Sequence, residues 1–136
     1  MGACTGRIGI VIVAHGGLAK EYLAAVEHVV GEQDGIRAIT ISAEENRAAK
    51  QDEICAAADA VDTGNGVVIV TDMFGGSPSN LSLRACRIAN RQIMYGANLP
   101  MLIKLAKSRH KPVSDAVRAS IEAAHKYINA QVVGST

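Results

Sequence analysis

Two uninterrupted apolar runs constrain this chain more than any other feature: Ile8-Gly-Ile-Val-Ile-Val-Ala14 and Val67-Val-Ile-Val-Thr71. A strand with one wet face alternates apolar and polar residues. A run rich in β-branched residues without that alternation reads as a strand covered on both faces, as in the middle of a parallel sheet. His15-Gly16-Gly17 breaks the first run, and Leu18, Tyr22, Val26, Val29 and Val30 then recur at helical spacing until Gly31 stops them. Residues 36–41 (IRAITI) alternate as an outer strand would. Ser42 is expected to cap a second, Ala-rich helix running to about Val61, with Glu44 and Glu45 in its positive first turn. After the second apolar run, residues 72–80 form a loop. In it Ser77 is expected to cap a helix with Pro78 in the first turn and Leu81, Ala85, Ile88 and Ala89 as inner face. A short fourth strand at 92–96 and a helix at 99–107 follow. A last helix, capped by Ser114, turns Val117, Ile121, Ala124 and Ile128 inward, and Val132-Val133 is a candidate terminal strand. Strand–helix alternation with buried strands predicts a doubly wound α/β architecture in one domain, residues 1–136.

Composition removes several function classes. Lys plus Arg is 14 against 13 for Asp plus Glu, and aromatic residues are 3% with no Trp. A nucleic-acid binder would show a basic excess or a stacking platform, so none is expected. The 49% hydrophobic content argues against disorder. Cys4, Cys55 and Cys86 form no CxxC pair and read as a tail thiol and two small hydrophobes on helices. No stretch approaches the ~18 apolar residues that span a bilayer, so no membrane insertion is expected and the cytoplasm is the expected compartment. His28, His110 and His125 show no metal-ligand spacing, and no Walker sequence is present. Neither metal, nor cofactor, nor direct use of ATP is therefore expected. Residues 104–111 (KLAKSRHK) are basic and read as a solvated surface or as a docking patch for an acidic partner.

In doubly wound sheets, ligands sit outside the carboxyl ends of the strands, where the winding reverses. Two loops at that edge carry chemistry. One puts His15 at a strand end ahead of Gly16 and Gly17; the other puts Asp72 at a strand end ahead of Gly75, Gly76 and Ser77. If the two strands are neighbours, His15 and Asp72 come within reach. A carboxylate accepting from Nδ1–H fixes the tautomer and leaves Nε2 as nucleophile. The glycine-flanked helix starts would present N–H groups to an anion, and the Ser77 hydroxyl would add a donor. Such a set suits a phosphoryl acceptor, which needs in-line positioning and charge stabilisation. Each piece alone has an ordinary structural reading: a histidine at a strand end, an aspartate capping its own loop, a Gly-Ser-Pro helix start. Their convergence on one edge is what argues for a site. Met73 and Phe74 inside the second loop would make apolar contact with a docking protein, or simply pack.

Gly9-Ile-Val-Ile-Val-Ala-His15-Gly-Gly-Leu-Ala19 together with Thr71-Asp-Met-Phe-Gly-Gly-Ser-Pro-Ser-Asn80 resembles the IIA component of the mannose family of the bacterial sugar phosphotransferase system. The resemblance implies a three-layer domain with a four-stranded parallel sheet and helices on both faces. It implies that His15 accepts a phosphoryl group from the phosphocarrier protein HPr and passes it to a IIB component, with Asp72 orienting the imidazole and Ser77 steadying the phosphoryl group. It also implies a homodimer, in some members through a swapped antiparallel C-terminal strand, here residues 131–133. Gly96-Ala97-Asn98-Leu99-Pro100-Met101-Leu102 is similar to the family's run at this place, which would put Asn98 at the site edge. The alternative is a regulatory module that signals through phosphorylation of the same His15. The related phosphocarrier subunit of dihydroxyacetone kinase differs in the second loop, and a metal chelatase would need a second histidine. Substrate choice in this family belongs to the membrane partners, so the sugar is not legible here.

Overall fold

The computed structural model describes residues 6–43, 46–73 and 76–134. In chain order the elements are β1 (Gly9–His15), α1 (Leu18–Val30), β2 (Ile36–Ile41), α2 (Arg47–Val61), β3 (Val67–Thr71), α3 (Ser77–Ser82), β4 (Arg91–Met94), α4 (Leu99–Lys107) and α5 (Val113–Lys126). A 3-10 helix, Leu83–Arg87, continues α3. The four strands form one parallel sheet in the order β2-β1-β3-β4. The two apolar runs are thus the two central strands, which is why neither alternates.

Alternate residues of these strands feed two cores. Ile10, Ile12, Ala14, Val68 and Val70 pack under α1, α4 and α5, while Val11, Val13, Val67 and Ile69 pack under α2 and α3. Helices therefore cover both faces, and the doubly wound, three-layer reading stands. Gly9 interrupts the first run for a steric reason: a Cβ there would lie 2.3 Å from the backbone oxygen of Val61, at the end of α2. α1 stops at Gly31, whose φ of +91° suits glycine. Among the described residues, no helix is long and apolar enough to cross a membrane.

Several local expectations shift. α2 begins at Arg47 and is capped by Asn46, whose Oδ1 accepts from Ala49 N–H at 3.0 Å, rather than by Ser42. Glu44 and Glu45 lie outside the described residues, as does Cys4. Ser77 is the first residue of α3 and not its cap, because Gly76 takes the cap position. The helix tightens to 3-10 after Ser82, so Leu81 and Ala85 are buried while Ile88 is exposed. The fourth strand starts and ends earlier than the pattern suggested. Pro112, not Ser114, precedes α5, and Ser114 Oγ instead accepts from Gln92 Nε2 at 3.1 Å.

The inner face of α5 is Val113, Ala116, Val117, Ser120 and Ala124, with Ile121 and Ile128 exposed. Ser120 can sit inside because its hydroxyl donates to Ala116 O at 2.7 Å. Residues 131–133 form no strand, and Val132 and Val133 stand in solvent. A terminal strand must pair with a sheet edge, and among the described residues 131–133 pair with neither edge strand, β2 nor β4.

Candidate functional site

The winding reverses between β1 and β3: from β1 the chain crosses to β2 on one side, and from β3 to β4 on the other. Residues at the carboxyl ends of these two neighbours therefore face one another. β1 ends in His15 and β3 is followed by Asp72. One carboxylate oxygen, Asp72 Oδ2, stands 3.0 Å from the His15 backbone nitrogen, whose N–H it accepts, and 2.7 Å from the ring Nδ1. The imidazole is 48% exposed and the carboxylate 11%. The ring is thus anchored from the protein side, with Nε2 as the nitrogen outside that bond.

Burial pushes the Asp72 carboxyl up, but the His15 backbone N–H, the ring hydrogen bond and the ring's charge together outweigh it and hold the group below the usual aspartate value. The carboxylate stays ionised at neutral pH and keeps its acceptor role. Its second oxygen, Oδ1, is buried and has no hydrogen-bond partner among the described residues, and the same holds for the hydroxyl of the preceding Thr71.

Two helices start beside the ring. α1 begins after Gly17 and α3 after Gly76, and neither start is capped by a side chain. A Cβ on Gly76 would lie 3.4 Å from His15 Cε1, which places the start of α3, with Ser77, next to the imidazole. Open space stands over Gly16 and Gly17. The first turn of a helix such as α1 carries N–H groups without intrahelical partners and the positive end of the helix dipole, a combination that favours an anion.

Not every expected residue joins in. The Gly16 N–H donates to Ile41 O at 3.1 Å, at the end of β2, so it is not a donor for an anion. With its φ of +56°, Gly16 turns the chain instead. Gly75 and Phe74 lie outside the described residues. Asn98 does not reach the site: its Oδ1 caps α4 by accepting from Met101 N–H at 2.9 Å, and its Nδ2 donates to Ala124 O at 3.1 Å.

Arg109 in the basic stretch is buried, donating to Ile8 O, Gly35 O and Gln33 Oε1. These groups precede β1 and β2, so the stretch ends at the opposite edge of the sheet from His15. Leu18, expected on the apolar face of α1, is exposed at the first position of that helix, as Met73 is exposed after Asp72, so both stand in solvent at this edge of the sheet. A groove of about 360 Å³ between α4 and α5, lined by residues such as Leu99, Ile103, Lys104 and Tyr127, does not include His15. The imidazole itself is about half exposed.

The EIIA-man family, described as PTS system fructose IIA component, matches residues 9–122. The chain is 32% identical over 103 residues to the PTS system mannose-specific EIIAB component of Escherichia coli strain K12, covering 75% of this chain and 32% of that protein. It thus spans about a third of that relative's length. It is 31% identical over 98 residues to the PTS system sorbose-specific EIIA component of Lacticaseibacillus casei, covering 71% of this chain and 70% of that one. The crystal structure of phosphotransferase system component EIIA from Streptococcus agalactiae superposes with a TM-score of 0.80 at 26% identity, over 90% of this chain and 96% of that one.

Proposed function

The chain belongs to the EIIA-man family of phosphotransferase-system IIA components, and from that premise we propose that it is a phosphoryl carrier of a sugar phosphotransferase system. His15 Nε2 takes the phosphoryl group from phospho-HPr and hands it to a IIB component. The observation that carries this reading is the 2.7 Å contact between His15 Nδ1 and Asp72 Oδ2 on a half-exposed ring. With the proton held on Nδ1, the Nε2 lone pair attacks phosphorus in line. The new N–P bond forms as the bond to the donor breaks, and the carboxylate balances the positive charge that grows on the ring.

The transferred oxygens lie against the start of α1, where the Gly17 backbone supplies a donor, and the Ser77 hydroxyl at the start of α3 adds another. Leu18 and Met73 are the exposed apolar residues on which HPr and the IIB partner dock in turn. Self-association belongs to the same reading, through the exposed end of the chain where Ile128, Val132 and Val133 stand in solvent.

The test is a reconstituted relay from phosphoenolpyruvate through HPr, with labelled phosphate. One label per chain is expected, on His15, and it chases onto a IIB domain. An unlabelled wild type, or a His15→Ala variant labelled as strongly as wild type, overturns the reading.

A further inference from the structure

We propose that Cys55 and Cys86 are a redox-active pair that closes into an intramolecular disulfide when the protein meets hydrogen peroxide. Asp52, Cys55 and Asp59 follow one another at three and four residues along α2 and so share a helix face. Asp52 pairs with Arg84 at 3.0 Å, and Asp59 pairs with Arg91 at 2.9 Å. These two ion pairs link that face to the segment from Arg84 to Arg91, the Arg91 end of the link being buried. Cys55 lies between the two acidic anchors and Cys86 between the two basic ones, which sets the cysteines opposite each other. Both are free thiols, both are half-buried, and both pack against the same core cluster beneath α2.

Burial is the main reason the Cys86 thiol is pushed up, and the neighbouring Cys55 adds to it while Arg91 opposes. Cys86 is therefore slow to ionise, and we assign it the resolving role. Cys55 sulfur attacks the peroxide O–O bond, giving a sulfenic acid and one water. Cys86, losing its proton, attacks that sulfur and releases the second water as the S–S bond forms. The two thiols have then given two electrons to one peroxide. Inside cells such bonds are transient and redox-sensing rather than structural. Because α3 runs directly into the 3-10 helix that carries Cys86, the bond would tie α2 to the segment that follows the Asp72 loop.

The test uses the full chain with Cys4→Ser, reduced and then exposed to hydrogen peroxide; its readout is a mass and is independent of phosphoryl transfer. Peptide mapping without reductant is expected to show a Cys55–Cys86 linked peptide in monomeric protein. The intact mass should fall by two hydrogens and recover with dithiothreitol. Cys55→Ala and Cys86→Ala should each lose the linked species and gain oxygen on the remaining sulfur. Oxygen on both sulfurs of the Cys4→Ser protein without a link, or a link found only between two chains, overturns the proposal.

Discussion

One carboxylate oxygen takes both the backbone N–H and the ring nitrogen of the same residue, so Asp72 fixes where His15 stands and which tautomer it holds. Asp72→Asn keeps the size but loses the charge and offers only one carbonyl acceptor. The rate of phosphoryl uptake should fall by about a hundredfold, with circular dichroism unchanged; an unaltered rate would remove the orienting role. The same residue sets an acid limit. Its carboxyl is held below the ordinary value, so its contribution to stability is complete above the unfolded aspartate value of about 3.9 and is lost as pH falls through the folded value. Asp62 adds to this in the same direction, held down chiefly by the Gly64 N–H, against burial, with help from Arg91. Denaturant melts taken from neutral pH downward should show Asp72→Asn losing less stability than wild type over that window. Residue types and strand ends made His15 and Asp72 legible from the sequence. Which N–H groups face them was not, because the partner of Gly16 is a carbonyl on a strand distant in sequence.

Elements were read well where one residue alone carried the signal and less well where several competed. Gly31 ended α1 because it was the only residue there suited to a positive φ, and α4 was found to its boundaries. At the start of α2, Ser42 and Asn46 are near-equal caps by chemistry, and only the local backbone path selected Asn46. The serine expected to cap α5, Ser114, is the second residue of that helix and accepts from Gln92 instead. Asn98 carries two duties at once, capping α4 and fastening α5 through Ala124 O. Asn98→Ala should therefore cost about 2 kcal/mol, at the upper end for a cap, read as a lower denaturation midpoint. Asn98→Asp, which keeps the cap acceptor and loses the donor to Ala124 O, should recover only part of it.

For the molecule as a whole, the helices lie so close on the sheet that some side chains cannot exist. Gly9→Ala places a methyl group within 2.3 Å of Val61 O and must push α2 off the sheet. A loss of about 1–3 kcal/mol is expected, measured by chemical denaturation, whereas Gly17→Ala meets open space and should cost little. The central strands, the alternation of elements and the identity of the two candidate site residues were set by the sequence, because burial on both faces and special strand-end residues leave local, readable marks. The meeting of His15 with Asp72 in one 2.7 Å contact, the use of the Gly16 N–H and the burial of Arg109 at the far edge were decided only by the tertiary structure. Each depends on strand order, and strand order is a choice between pairings of distant segments that no local pattern encodes.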